Sequence, residues 1–226
     1  MLLTIPHVLD DAEVIHLRRL IDGASWADGR ITAGPQSALE KRNRQLPEDA
    51  PEAFEARAIV LAGLAKSGLF FTAALPHKVY PPLFNRYETG MDFGSHIDNA
   101  VRTFAATGQH VRTDISATLF LSNPDEYEGG ELVVEGTNGS HAIKLAAGDM
   151  VLYPGTSVHR VRPVTRGIRT ASFFWVQSMV REDARRALLF DMDGAIGTLR
   201  RQHGESGPVI VLTGSYHNLV RMWADV

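Results

Sequence analysis

A chain of 226 residues, 44% hydrophobic and 22% charged, has enough apolar material for one sizeable core and an ordinary polar surface. A net charge of −3 leaves no basic footprint for nucleic acid, and no apolar run approaches the roughly 20 residues that a membrane-spanning helix needs. There is no cysteine, which excludes disulfides, iron–sulfur ligation and thiol nucleophiles and suits a reducing, cytoplasmic setting; the opening M-L-L-T-I-P-H lacks the basic and apolar regions of a signal peptide.

In chain order, Asp10 and Glu13 form a capping pair that starts a first helix, with Val14, Leu17, Leu20 and Ile21 as its apolar face and Gly23 as its stop. Trp26–Leu46 is broken by Gly29, Gly34 and Pro35 and is locally basic through Arg30, Lys41, Arg42 and Arg44. It reads either as a solvated loop or as a rim over the active site that touches an acidic substrate. Pro51–Gly68 predicts a second helix on the outer face of a sheet, with Phe54, Ala58, Leu61, Ala62, Leu64 and Ala65 as its stripe and Gly68 just past its end. From Val79 the pattern changes to eight short strands: 79–87, 92–99, 113–122, 130–136, 141–145, 150–153, 159–164 and 169–178. The turn signals include Thr89-Gly90, Asn123-Pro124, Gly129-Gly130, Asn138-Gly139, Gly148-Asp149, Pro154-Gly155 and Arg166-Gly167. Such a series predicts a sandwich or jelly roll. Beyond residue 181 the chain turns helical again. Ala187, Leu188, Met192, Ile196 and Leu199, then Val209, Leu212, Tyr216, Leu219, Val220 and Trp223, predict two helices for packing or for contact between copies of the chain.

The chemistry converges on His96-Ile97-Asp98. In an extended strand, residues two apart share a face, so the His96 imidazole and the Asp98 carboxylate can meet one metal ion. Two ligands are too few, and His159, which follows the Pro154-Gly155 turn, supplies a third from a strand distant in sequence. Two histidines and one carboxylate with open opposite positions describe a non-haem Fe(II) oxygenase site. Ten positions further on, Arg169 shares a strand face with Ala171, Phe173 and Trp175. A buried arginine there needs an anionic partner, either a carboxylate of the chain itself or a dicarboxylate cosubstrate, which the guanidinium binds through two parallel hydrogen bonds. Trp175 offers a flat wall beside it. Tyr87 reads equally as a hydrogen-bonding partner of the cosubstrate or as a core aromatic. Asn99 and Arg102 face either substrate or solvent. His7, His16, His77, His110, His141, His203 and His217 have no partners at ligand spacing and read as structural.

His-x-Asp, a second His about sixty residues on and an Arg ten beyond it resemble the 2-oxoglutarate/Fe(II) oxygenases with a prolyl-4-hydroxylase-like domain. Together with W-A-D-G-R-I-T-A-G, N-R-Y-E-T-G-M-D-F-G-S-H-I-D-N-A, G-G-E-L, G-D-M-V-L-Y-P-G-T-S-V-H-R-V-R-P-V-T-R-G-I-R and Y-H-N-L-V-R-M-W, they resemble the bacterial PKHD-type hydroxylases in particular, some of them associated with iron uptake. The resemblance spans nearly the whole chain. It implies a double-stranded β-helix core and His96, Asp98 and His159 as ligands of Fe(2+). It also implies Arg169 as anchor of 2-oxoglutarate, O2 as co-reactant, L-ascorbate as reductant, and hydroxylation of a peptidyl residue or small metabolite with release of succinate and CO2. The expected organisation is a helical and loop region over 1–76, the oxygenase core over 77–180 and a helical extension over 181–226. The competing expectation is a cupin-like metalloenzyme, or a metal- or keto-acid-binding module, that does not use 2-oxoglutarate.

Overall fold

Period-two alternation along four long strands sets the architecture. The protein, a computed structural model, is described over residues 1–32, 40–104, 106–137 and 139–226. Its main sheet follows the order β1 (Leu3–Ile5), β14 (Met150–Pro154), β10 (Ile115–Phe120), β16 (Val164–Ser178), β6 (Leu83–Glu88), β4 (Arg44–Gln45) and β2 (Ala27–Asp28). The strands β5 (Pro76–Val79) and β11 (Tyr127–Gly129) add to the two ends of β16. A smaller sheet runs β13 (Gly139–Ile143), β12 (Leu132–Gly136), β15 (His159–Val161), β7 (Asp92–His96) and β3 (Lys41–Arg42). A separate hairpin pairs β8 (Val101–Phe104) with β9 (Gln109–Arg112). All pairings are antiparallel, and each of the eight runs read from the sequence overlaps an observed strand, giving the jelly roll that the pattern predicts.

The main sheet is buried on both faces. Ile115, Ala117 and Leu119 of β10, Met150 and Leu152 of β14, Phe84 of β6, and Phe174 and Val176 of β16 point outward into a core shared with helices α1 (Asp11–Asp22), α2 (Pro51–Lys66) and α3 (Gly68–Ala74). The alternate residues Phe120, Val151, Tyr153 and Tyr87 point inward and meet Leu132, Val134, Ile143 and Val161 of the smaller sheet. Removing one fully buried aromatic such as Phe174 costs about 3–5 kcal/mol. The capping pair at the start of α1 is formed as expected, with the Glu13 amide donating to Asp10 Oδ1 at 2.8 Å and the Asp10 amide to Glu13 Oε2 at 3.1 Å. Helices α4 (Asp183–His203) and α5 (Gly207–Trp223) pack against Leu75 and Val180 through Leu189, Tyr216, Leu219, Val220 and Trp223. No single helix among the described residues is long and apolar enough to cross a membrane.

Several local expectations are corrected. Gly68 does not end α2: Ser67 takes that place in an extended conformation and caps α3, whose first residue is Gly68. The buried face of α2 is Ala53, Ala56, Val60, Gly63 and Leu64, while Phe54 and Leu61 are exposed. On α4, Leu189 is buried and Leu188 exposed. The run 79–87 is two strands, separated at Tyr80–Pro82. Arg166-Gly167 is not a turn but lies inside β16, where Gly167 (φ +77°) passes so close to the Glu126 carbonyl that a side chain would collide with it. The break between β15 and β16 falls at Arg162-Pro163 instead. Residue 138 of the Asn138-Gly139 turn lies outside the described residues, as do residues 33–39 of the basic segment. The N-terminal region is more than helix and loop, since β1 to β4 join both sheets.

Candidate functional site

The two sheets enclose a cleft of about 790 Å³, counting the space open to solvent. The smaller sheet supplies His96 and His159. These residues lie directly opposite each other in the antiparallel register of β7 and β15, which explains why histidines 63 positions apart meet. Asp98 sits just beyond the end of β7, two residues past His96, so the strand is shorter than expected but the convergence holds. Ile97, between them, is half exposed. One donor atom from each of His96, Asp98 and His159 falls within a sphere where all lie no more than 4.8 Å apart, and His159 Nε2 is 3.7 Å from Asp98 Oδ2.

The surrounding contacts aim these donors. His96 Nδ1 sits 2.8 Å from the Gly94 carbonyl and His159 Nδ1 is 3.1 Å from the Ser157 carbonyl. Each Nδ1–H is thereby committed to the backbone, and each Nε2 keeps its lone pair for a cation. The Ser116 hydroxyl donates to Asp98 Oδ2 at 2.7 Å. Phe93 stacks on the His96 ring at 3.6 Å, and Tyr153 meets the His159 ring edge-on at 5.0 Å. Burial, helped by the neighbouring His159, pushes the His96 pKa down to about 4, so the imidazole stays in its ligating form. Burial likewise pushes the Tyr153 hydroxyl far up.

Arg169 reaches the cleft from the main sheet. It is 1% exposed, and none of its three guanidinium nitrogens has an acceptor in hydrogen-bonding geometry. No carboxylate of the described residues pairs with it; its charge instead lies over the rings of Tyr87 (5.3 Å) and Phe120 (5.2 Å). Tyr87 is its direct cross-strand neighbour in β6, and burial pushes that hydroxyl up to about 12. A guanidinium so placed implies an external anion, because an unpaired buried charge is costly. Trp175 lines the same cleft, but six residues along β16 from Arg169, or about 20 Å at strand rise. It packs edge-on against Tyr80 and Phe173, with the Arg102 guanidinium 4.6 Å above it. The sequence pattern gives no sign of Ser116, Phe93 and Tyr153, whose place at the site depends on strand register. It puts Lys41 in a basic segment without indicating that this residue is buried and lines the cleft. The donor set fits one divalent cation, and the orphaned guanidinium fits a diacid bound beside it.

This fold and this site define a 2-oxoglutarate/Fe(II) oxygenase. Residues 82–177 match the family model of the 2OG-Fe(II) oxygenase superfamily, and residues 183–225 that of the PKHD-type hydroxylase C-terminal domain. The chain is 59% identical over the full length of both chains to PKHD-type hydroxylases of Xanthomonas campestris pv. campestris and Saccharophagus degradans, and 57% identical to one of Burkholderia lata. It belongs to the PKHD-type hydroxylases. Among solved structures the fold resembles a Pseudomonas putida prolyl-4-hydroxylase (21% identity, TM-score 0.51, 78% of this chain and 92% of that one). It also resembles a Trichoplax adhaerens prolyl hydroxylase (17% identity, TM-score 0.55, 83% and 86%).

Proposed function

We propose that His96, Asp98 and His159 hold the Fe(II) of this oxygenase, and that Arg169, with Tyr87 beside it, holds the distal carboxylate of 2-oxoglutarate. The observation that carries this reading is the buried Arg169 guanidinium, without an acceptor of its own, in the same cleft as the three converging donors. When bound, iron and 2-oxoglutarate supply the oxidising chemistry that divides O2 between a hydroxylated substrate and succinate, with loss of CO2.

The protein's own residues do the rest. The Gly94 and Ser157 carbonyls orient the two imidazoles, and Ser116 orients Asp98, so the cation site exists before the ion arrives. Arg169 and Tyr87 fix one end of the keto acid and leave its other end no choice but the cation. Leu132, Val161 and Phe93 make that part of the cleft apolar and exclude water from the reaction. Ascorbate fits this reading as a reductant that restores oxidised iron, and a peptidyl residue or small metabolite as the group hydroxylated.

The test is succinate release from 2-oxoglutarate under O2 by the Fe(II)-loaded protein, compared with Asp98→Ala. A second arm is a mass-spectrometric search in lysate for products heavier by one oxygen. Succinate and oxygenated products that require Asp98 are expected. Equal succinate release by the Asp98→Ala variant would remove the metal assignment.

A further inference from the structure

The cleft has a second cationic pole that the cosubstrate does not use. At its mouth, Arg102 projects from the β8–β9 hairpin, which turns Arg102, Phe104 and Val111 inward. The guanidinium lies 4.6 Å from the Trp175 ring and 5.6 Å from that of Tyr80. Lys41 arrives from the other side. The chain at Lys41–Gln45 steps from β3 in the smaller sheet to β4 in the main sheet, and this crossing places the Lys41 ammonium inside the cleft at 5% exposure. There it lies 5.6 Å from the Phe93 ring and 5.8 Å from the Phe173 ring, and donates to the neutral Gln45 Oε1 at 3.1 Å. Burial, together with the Arg102 charge, lowers the Lys41 pKa to about 8, so at pH 7 the ammonium keeps most of its charge.

Charge balance then decides what the mouth can take. Among the described residues lining the cleft, Asp98 is the one carboxylate, set against Arg169, Lys41 and Arg102. Iron(II) adds two positive charges and 2-oxoglutarate removes two, so the formal charge of the described lining stays at plus two, with Arg102 toward the mouth and Lys41 deeper, against Phe93. A low-dielectric cleft with such an excess attracts anions and repels cations. The cleft continues along β16 past the Arg169 end to Phe173 and Trp175, which line its wall there.

We propose that Arg102 and Lys41 form the substrate subsite for an anionic group, and that the substrate is a carboxylate or comparable anion whose apolar part lies along Phe173 and Trp175. This inference rests on the reading of Arg169 as the anchor of 2-oxoglutarate. It selects among the substrates that reading leaves open, favouring an acidic metabolite or an acidic peptide residue over a cationic one.

The experiment uses full-length protein loaded with Fe(II) and saturating 2-oxoglutarate without O2. It is titrated with phenylacetate and, separately, with phenylacetamide, a neutral molecule of nearly the same shape, and binding is followed by calorimetry and ligand-observed NMR. The anion is expected to bind on the order of tenfold more tightly than the amide, as one charge-assisted hydrogen bond provides. Arg102→Gln should remove most of that preference, Lys41→Gln part of it, and Arg102→Lys, which keeps the charge, should retain it. A preference for the amide, equal binding, no anion-selective binding up to the solubility limit, or a preference unchanged in both glutamine variants overturns the proposal. So does a Lys41→Gln or Arg102→Gln defect that falls on 2-oxoglutarate instead of phenylacetate. The titration of 2-oxoglutarate that precedes each run keeps the two readings apart. If 2-oxoglutarate fails to bind the wild-type protein, the parent assignment has failed; if it binds and the anion preference is missing, only the subsite has.

Discussion

Replacing Arg169 by methionine separates a binding role from a structural one, because the two predict opposite signs. The guanidinium is buried, has no acceptor in good hydrogen-bonding geometry and no carboxylate among the described residues, and lies against two aromatic faces at just over 5 Å and near the Tyr127 hydroxyl. Such contacts recover about 0.5–2 kcal/mol, less than the several kcal/mol that desolvating an ion costs. Methionine has a similar length and no charge, so the ligand-free protein should gain about 1–3 kcal/mol. For a chain of this size that is a rise in Tm of about 2–8 °C. Binding of 2-oxoglutarate should fall at the same time. Two charge-assisted hydrogen bonds contribute about 1.5–3 kcal/mol each, so losing both weakens affinity by at least about a hundredfold. The assays are thermal unfolding of the metal-free protein and anaerobic calorimetry of 2-oxoglutarate with the Fe(II) protein. A lower Tm together with a loss in affinity below about fivefold would show that Arg169 belongs to the fold and not to a ligand.

The remaining predictions concern the iron side and its supports. Ser116→Ala removes the hydroxyl that orients Asp98 and should weaken Fe(II) affinity by about 10- to 100-fold in a chelator competition, with little change in Tm. At Gly155 an added Cβ would lie 2.0 Å from the Thr113 carbonyl oxygen, between β14 and the strand that presents His159. Gly155→Ala should therefore cost about 1–3 kcal/mol by denaturant unfolding and also reduce metal affinity, since the backbone and not a flexible side chain must move. His96 titrates near 6.5 when unfolded and near 4 when folded, so below pH 6.5 the unfolded chain binds more protons. The stability of the metal-free protein should thus fall as pH drops from 6.5 toward 4, and His96→Gln should flatten that part of the profile.

Much of the site is legible in the sequence because its chemistry is carried by residue type and spacing. His96, Asp98, His159 and Arg169 are picked out by spacing, strand context and the family resemblance together; the β7–β15 register sets the two histidines opposite each other, with Asp98 just past the end of β7. Ser116 cannot be found that way. It is an ordinary serine in the uniformly buried strand β10, and only the pairing of β10 with β14 and β16 turns it toward Asp98. The phase of α2 is misleading for a physical reason. Its buried face carries the small residues Ala53, Ala56 and Gly63, and at Gly63 the helix backbone approaches the chain at Val8 and Leu9 so closely that a side chain there would overlap both. Large apolar residues such as Phe54 and Leu61 do not fit there and lie outside, so a stripe chosen by hydrophobicity selects the wrong side. The strands β1 to β4 are two or three residues long, too short for any alternation to register. Their consequence is large all the same, since the step from β3 to β4 carries Lys41 into the cleft.

The central assignment is tested most directly by a crystal structure of the protein soaked with Mn(II) and 2-oxoglutarate under anaerobic conditions, with anomalous data collected for the metal. One anomalous peak at about 2.0–2.3 Å from His96 Nε2, His159 Nε2 and an Asp98 oxygen is expected, with the far carboxylate of the diacid paired to both ends of the Arg169 fork. A peak elsewhere, or an Arg169 turned toward a carboxylate of its own chain while the diacid lies free of it, would contradict the account.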